Sequence, residues 1–268
     1  MNTRYRAPVF FASHGAPTFA IEPGQLGPQL QALGEQLHGV EAVLVVSPHW
    51  QTRDVTVMGT PAPETVHDFG GFPSRLYDLQ YPAGGHRALA EATVKQLHSA
   101  GWAAQRDAFR GLDHGAWVPL MHLFPKADVP VFQVSMPYDL TAQQAVQLGQ
   151  ALAPMREQGV LILASGGMTH NLYEFRQASS TPAAYVQEFT AWIQTAVRAN
   201  AITALQQYLS EAPHAQRAHP SEEHFLPLLV AMGAQLDGDR VDWIDGGITH
   251  GVLSMDSCVW GMQAVAAH

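Results

Sequence analysis

A chain of 268 residues, 47% of them apolar, is long enough to bury roughly 70–75% of the surface it exposes when unfolded, which excludes a disordered segment and a disulfide-stapled miniprotein. Lys and Arg number 14 against 23 Asp and Glu, a formal net charge of −9, so no basic face is offered to phosphates and nucleic acid is not an expected partner. The single cysteine, Cys258, lies in an apolar stretch and cannot close an internal disulfide, which suits a reducing compartment.

Residues 7–12 form a continuous apolar run that is too short for a signal-peptide core or a bilayer span, so the expectation is a cytoplasmic protein with no membrane partner. The run reads instead as a first strand. Residues 25–37 place Leu26, Leu30, Leu33 and Leu37 on one helical face, and a second apolar strand follows at 42–47. Continuous rather than alternating apolar strands indicate burial on both faces, hence a sheet covered by helices. Residues 59–85 are rich in Gly, Pro and aromatics and read as a long functional loop. The pattern resumes with a helix over 86–100, a strand over 129–135, a helix over 141–157 and a strand over 160–165. Helices are expected at 183–199, 202–209 and 222–232, then strands at 241–244 and 252–259. The sum is a single α/β domain over residues 1–268, with a mostly parallel or mixed central sheet and helices on both faces.

Histidine is the outlier of the composition, with 14 in all. His14 follows the first strand, His49 the second and His170 the fourth, each in a turn flanked by Gly or Pro. Ligands of open α/β sheets collect outside the carboxyl ends of the strands, so these three are expected to converge there on a metal ion. His114, in a Gly-flanked loop, and His224, after Pro220 and Ser221, are two further candidates. His38, His86, His98, His122 and His214 read as surface or helix residues, His250 as structural, and His67 and His219 stay open. No nucleotide P-loop, dinucleotide fingerprint, HExxH or CxxC is present, and Ser165 is not in a nucleophile elbow because Leu163 stands where that motif needs glycine.

Six blocks in order carry a resemblance across nearly the whole chain: Ser13 to Pro17, Ser47 to Trp50, Asp68 to Pro73 with Tyr77 and Tyr81, Gly111 to Trp117, Gly166 to Asn171, and His219 to His224. They resemble the class III (protocatechuate 4,5-dioxygenase-type) extradiol ring-cleavage dioxygenases, in particular the branch that cleaves DOPA between carbons 4 and 5. The resemblance implies that His14, His49 and His224 ligate a metal, that His170 is a catalytic or additional ligating histidine, and that His114 is a second active-site histidine. It also implies a small catecholic substrate and O2, in a monomer or small homo-oligomer. Fe(II) is expected for catalysis, and Zn(II) in protein purified in air, because zinc competes well for imidazoles but has no redox chemistry. Phe69, Phe72, Tyr77 and Tyr81 are expected to wall a flat ring.

The wider superfamily has glutamate as third ligand, and here Glu222 and Glu223 adjoin His224. If Ser221 caps a helix that these residues open, neighbours point about 100° apart and only one of Glu223 and His224 faces the metal. The buried stripe of Phe225, Leu228 and Leu229 selects His224, leaving both glutamates at the surface or behind the ligands. Two other readings of the same residues stay open: a zinc hydrolase using three histidines, and a metal-free interaction protein.

Overall fold

The strands with unbroken apolar runs form the centre of the fold. In the computed structural model, which describes residues 5–175 and 181–262, β1 (Val9–Ser13), β2 (Ala42–Thr52), β5 (Val131–Pro137) and β6 (Val160–Gly166) lie parallel and side by side. β3 (Val55–Met58) and β4 (Ala104–Asp107) extend one edge of the sheet. β7 (Val241–Ile244) and β10 (Ser257–Trp260) extend the other, and a separate ribbon of β8 (Ile248–Thr249) and β9 (Leu253–Ser254) lies between them in sequence. The order β4-β3-β5-β2-β6-β1-β10-β7 makes a mixed sheet of eight strands, antiparallel where β3 meets β5 and where β10 meets β1 and β7. Val9 to Ala12, Ala42 to Val46 and Val160 to Ala164 are sealed from solvent, as double-sided cover requires.

Helices supply that cover. α1 (Leu26–Gly34) packs with α3 (His114–Leu123), which lies on β2 and β6; α2 (Arg87–Ser99) flanks β3 and β4. α4 (Ala142–Leu152) packs on a helix beginning at Leu226. Between them in sequence come a single turn, α5 (Leu172–Phe175), the long α6 (Ala184–Arg198), and three short helices, α7 (Ile202–Gln206), α8 (Tyr208–Glu211) and α9 (Ala215–Ala218). The last, α10 (Leu226–Gly233), meets α4, β6, β1 and β2.

Five differences separate the structure from the sequence reading. β2 does not stop at Ser47. Its register with β5 shifts between Val46 and Gln51, a bulge at Pro48, which has no N–H to give the ladder, and His49 sits within the prolonged strand. Residue 114 is not in a loop. It is the first residue of α3, whose N-cap Asp113 accepts from the Ala116 N–H. α3 was invisible because it contains Gly115 and Pro119 and is buried on nearly every side, leaving no amphipathic period. α10 begins at Leu226 with Pro227 in its first turn, four residues later than expected. Residues 222–225 form the turn that leads into it, the Glu222 carbonyl accepting from the N–H groups of Phe225 and Leu226, so the angular argument at Glu223 and His224 acts on a turn and not on the helix. The run 252–259 is two short strands, and the helix expected over 141–157 ends at Leu152, followed by a 3₁₀ segment.

α4 and α10 touch backbone to backbone. A Cβ on Gly149 would strike the Val230 carbonyl, and one on Gly233 would strike the Val146 carbonyl. Gly149→Ala is therefore expected to lower unfolding free energy by about 1–3 kcal/mol, the usual cost of forcing an extra carbon into a packed core. Urea titration checks this, with the midpoint falling at unchanged slope.

Candidate metal centre

Three parallel strands deliver the cluster. His14 directly follows β1, held by its N–H to the Gly166 carbonyl at 3.0 Å, and Gly15 turns the chain at φ +60°, where a side chain would be strained. His49 reaches the same place because the bulge at Pro48 re-aims it, and Arg110 grips its carbonyl at 3.2 Å. His224 is clamped onto the end of β6 by the Gly167 N–H donating to its carbonyl at 2.9 Å. His170, four residues past β6, is fixed by its own N–H to Ala218 O at 2.8 Å, and its ring stacks on His224 with centroids 3.4 Å apart and planes 9° apart. His114 enters from α3, its ring 3.9 Å from that of His49.

Their ring nitrogens converge. His14 Nε2 and His49 Nε2 are 3.1 Å apart, and one ligand atom from each of His14, His49 and His224 falls within 4.8 Å of the others. A pair of imidazoles at that distance either shares one N–H or turns two lone pairs on a cation. Among the described residues His224 Nε2 is buried with no hydrogen-bond partner, an orphaned acceptor that a metal ion would satisfy. Two overlapping sets, His49 with Asp68 and His114, and His170 with Glu223 and His224, also bring one ligand atom from each residue within 4.8 Å of the others.

The other ring nitrogens are tied back to the protein. His14 Nδ1 meets Ser165 Oγ at 2.9 Å, His224 Nδ1 meets Glu223 Oε1 at 3.0 Å, and His114 Nδ1 meets Asp68 Oδ1 at 2.9 Å. The same Asp68 oxygen accepts from the His114 backbone N–H at 2.9 Å, and its other oxygen lies 3.7 Å from His49 Nδ1. Burial disfavours the imidazolium form of His14, His49, His170 and His224. It drives His14 and His224 well below the ordinary histidine value, assisted by their neighbours, and brings His49 and His170 down to about 4. Burial pushes Asp68 up, but the hydrogen bond and charge of His114 outweigh it and hold the carboxyl at about 2. The result is four neutral, lone-pair-bearing rings at pH 7, those of His14, His49, His170 and His224, the form a metal ion takes.

The cluster floors a cavity of about 150 Å³ whose wall is apolar: Pro17, Phe69, Phe72, Leu172, Phe175 and Leu253. Phe69 and Phe72 line it as expected, Tyr77 stands behind Phe69 at 5.2 Å, and Tyr81 is not a wall residue, since its ring is buried and its hydroxyl donates to Phe124 O. The long loop is held in place by Trp117 Nε1 donating to Val66 O and by the bridge of Thr65 to Leu112. His67 serves that loop, contacting Phe69, Tyr77 and Trp117. His219 is buried beside Phe189, Tyr208 and Phe225 with Nε2 on Met168 O, and His250 packs on Phe175. Sequence reasoning assigned no role to Asp68 and Ser165 beyond their motifs. Asp68 lies in an irregular loop with no period to aim it, and Ser165 stands in a sequence context that speaks only to its lack of a nucleophile elbow.

Residues 11–254 match the family described as the catalytic LigB subunit of aromatic ring-opening dioxygenase. The chain is 38% identical over 253 residues to a protein of Beta vulgaris named 4,5-DOPA dioxygenase extradiol, covering 93% of this chain and 94% of that one. It is 34% identical to a protein of that name from Escherichia coli K12, with 93% of each covered. The crystal structure of an uncharacterized Escherichia coli K12 protein superposes with a TM-score of 0.79 at 30% identity, covering 96% of this chain and all of the other. The histidine cluster at the strand ends and these matches agree: the chain belongs to the LigB family and is an extradiol, aromatic ring-opening dioxygenase.

Proposed function

We propose that this enzyme opens the ring of a small, DOPA-like catechol with O2, cleaving between carbons 4 and 5, at a metal held by His14, His49 and His224. The observation that carries this reading is the convergence of three neutral imidazole nitrogens, one of them the unpartnered His224 Nε2, on the floor of an apolar cavity. Fe(II), when bound, supplies the redox chemistry that couples a catechol to dioxygen, and Zn(II), which lacks it, occupies the same ligands after purification in air. Glu223 supports His224 through Nδ1 rather than replacing it, and the stacked His170 serves as an additional ligand or as an acid/base group. The enzyme is proposed to be cytoplasmic, a monomer or small homo-oligomer, with no nucleic-acid or membrane partner; the net charge of −9 and the single buried Cys258 support this.

The chain's own residues divide the remaining work. His114 offers its Nε2 for a catechol proton, because Asp68 fixes Nδ1 as the donor nitrogen. Phe69 and Phe72 pack the flat ring and keep water out, and their loop brings Asp68 with it. Anaerobic loading with Fe(II), followed by oxygen uptake on a catechol panel, tests the reading. Turnover is expected with DOPA-like catechols and none with zinc-loaded, iron-free protein; ring opening by the latter would refute the metal assignment.

His114→Ala is expected to bind metal as the wild type does but to lose about 10²–10⁴-fold in kcat at saturating catechol, the usual worth of a positioned acid/base group. Unchanged turnover would assign the ring to structure.

The neutral histidines also set an acid limit. His49, His170 and His219 stand near 4 in the folded chain against an ordinary value of 6.5, so between these limits the unfolded chain binds more protons and folding weakens as pH falls. Each group contributes up to about 1.4 kcal/mol per pH unit across that window. Urea unfolding of metal-free protein at pH 7.5 and pH 5 is expected to give the lower stability at pH 5.

A further inference from the structure

Ser165 links a ligand to a helix carbonyl. Its hydroxyl hydrogen bonds to two groups at once: the Gly115 carbonyl of α3 and His14 Nδ1 at 2.9 Å, all three groups buried. A carbonyl only accepts, so the one hydroxyl proton goes to Gly115 O, and the serine oxygen is left to accept from His14 Nδ1–H. His14 is then the Nδ1–H tautomer, and its lone pair sits on Nε2, the nitrogen 3.1 Å from His49 Nε2.

The Gly115 carbonyl is available for a reason written in the sequence. In an α-helix it would accept from the N–H four residues on, and that residue is Pro119, which has none. Gly115 itself is required, because a Cβ there would collide with Ser47 Oγ and press on the His49 ring. Pro119 inside α3 thus leaves that carbonyl without the donor four residues on, and the serine hydroxyl donates to it.

We propose that Pro119, the Gly115 carbonyl and Ser165 form a relay that locks His14 in the Nδ1–H tautomer and so presents its Nε2 lone pair to the metal. The inference rests on the reading of His14 as a ligand and makes Ser165 and Pro119 positioning residues. An outer partner of this kind is typically worth 10–100-fold in metal affinity.

Two measurements on the full-length, metal-stripped chain test it. Histidine-selective ¹⁵N NMR, with His14 identified by its loss in His14→Gln, is expected to find Nδ1 protonated and Nε2 bare in the wild type at pH 7.5. Competition with a chromophoric chelator for zinc is expected to find affinity reduced about 10–100-fold in Ser165→Ala. It is also expected to fall in Pro119→Ala, where residue 119 regains an N–H that competes for Gly115 O; thermal melts establish that both variants are folded. An Nε2–H tautomer in the wild type, or zinc affinity within about twofold of wild type in folded Ser165→Ala or Pro119→Ala, overturns the relay. His14→Gln separates the two ideas: if it too binds zinc like the wild type, the ligand reading fails, whereas loss of zinc there with retention in Ser165→Ala rejects the relay alone.

Discussion

Desolvation of histidine is the constraint on which the rest of the site depends. Five imidazoles share one cavity, and His14, His114 and His224 are almost fully buried. Placed so close, they cannot all carry charge, and burial keeps the rings of His14, His49, His170 and His224 neutral without help from any cation. A neutral imidazole can present its lone pair from either nitrogen, so neutrality alone does not aim that lone pair. What aims it is the partner on the other nitrogen, and the fold supplies those partners from different elements: a serine at the end of β6, a glutamate ahead of α10 and an aspartate from the long loop.

Those elements are brought together by features that weaken ordinary secondary structure. β2 tolerates Pro48 only by bulging, and the bulge turns His49 inward. α3 tolerates Gly115 and Pro119 because it is embedded against β2, β6 and α1. Its N-cap Asp113 is itself buried, with Ser47, Arg110 and Gln133 donating to its carboxylate. Arg110 also holds the His49 carbonyl, so the start of α3 and the bulge of β2 are one hydrogen-bonded unit. Local rules broken at a site and compensated by packing around it are the pattern expected where function sets the sequence.

This explains which parts could be read without coordinates. The central strands were legible because double-sided burial leaves an unmistakable apolar run at residues 9–12, 42–46 and 160–164, and the turns after them announced His14 and His170. α3 is obscured by the same burial, since a helix apolar on all sides has no period and Pro119 argues against helix continuity, whereas α10 is legible as a helix over 222–232 and only its start is displaced. β3 and β4 are short, and β4, with its half-polar Gln105, Arg106 and Asp107, carries too little pattern to separate from loop. Asp68 and Ser165 could not be placed from spacing, because each acts on a histidine far away in sequence, 46 residues in one case and 151 in the other.

The long loop gains a structural logic from Asp68. Its carboxylate binds both the backbone and the ring of His114, while the next residue, Phe69, lines the cavity and contacts that same ring at 5.6 Å. Trp117, one turn further along α3, donates to Val66 on the other side of Asp68. The apolar wall and the orientation of His114 are therefore set by a single segment pinned to a single helix. A shift of that segment large enough to move Phe69 would also pull Asp68 from Nδ1 and release the tautomer of His114, so the shape of the cavity wall and the tautomer of the histidine that lines it change together.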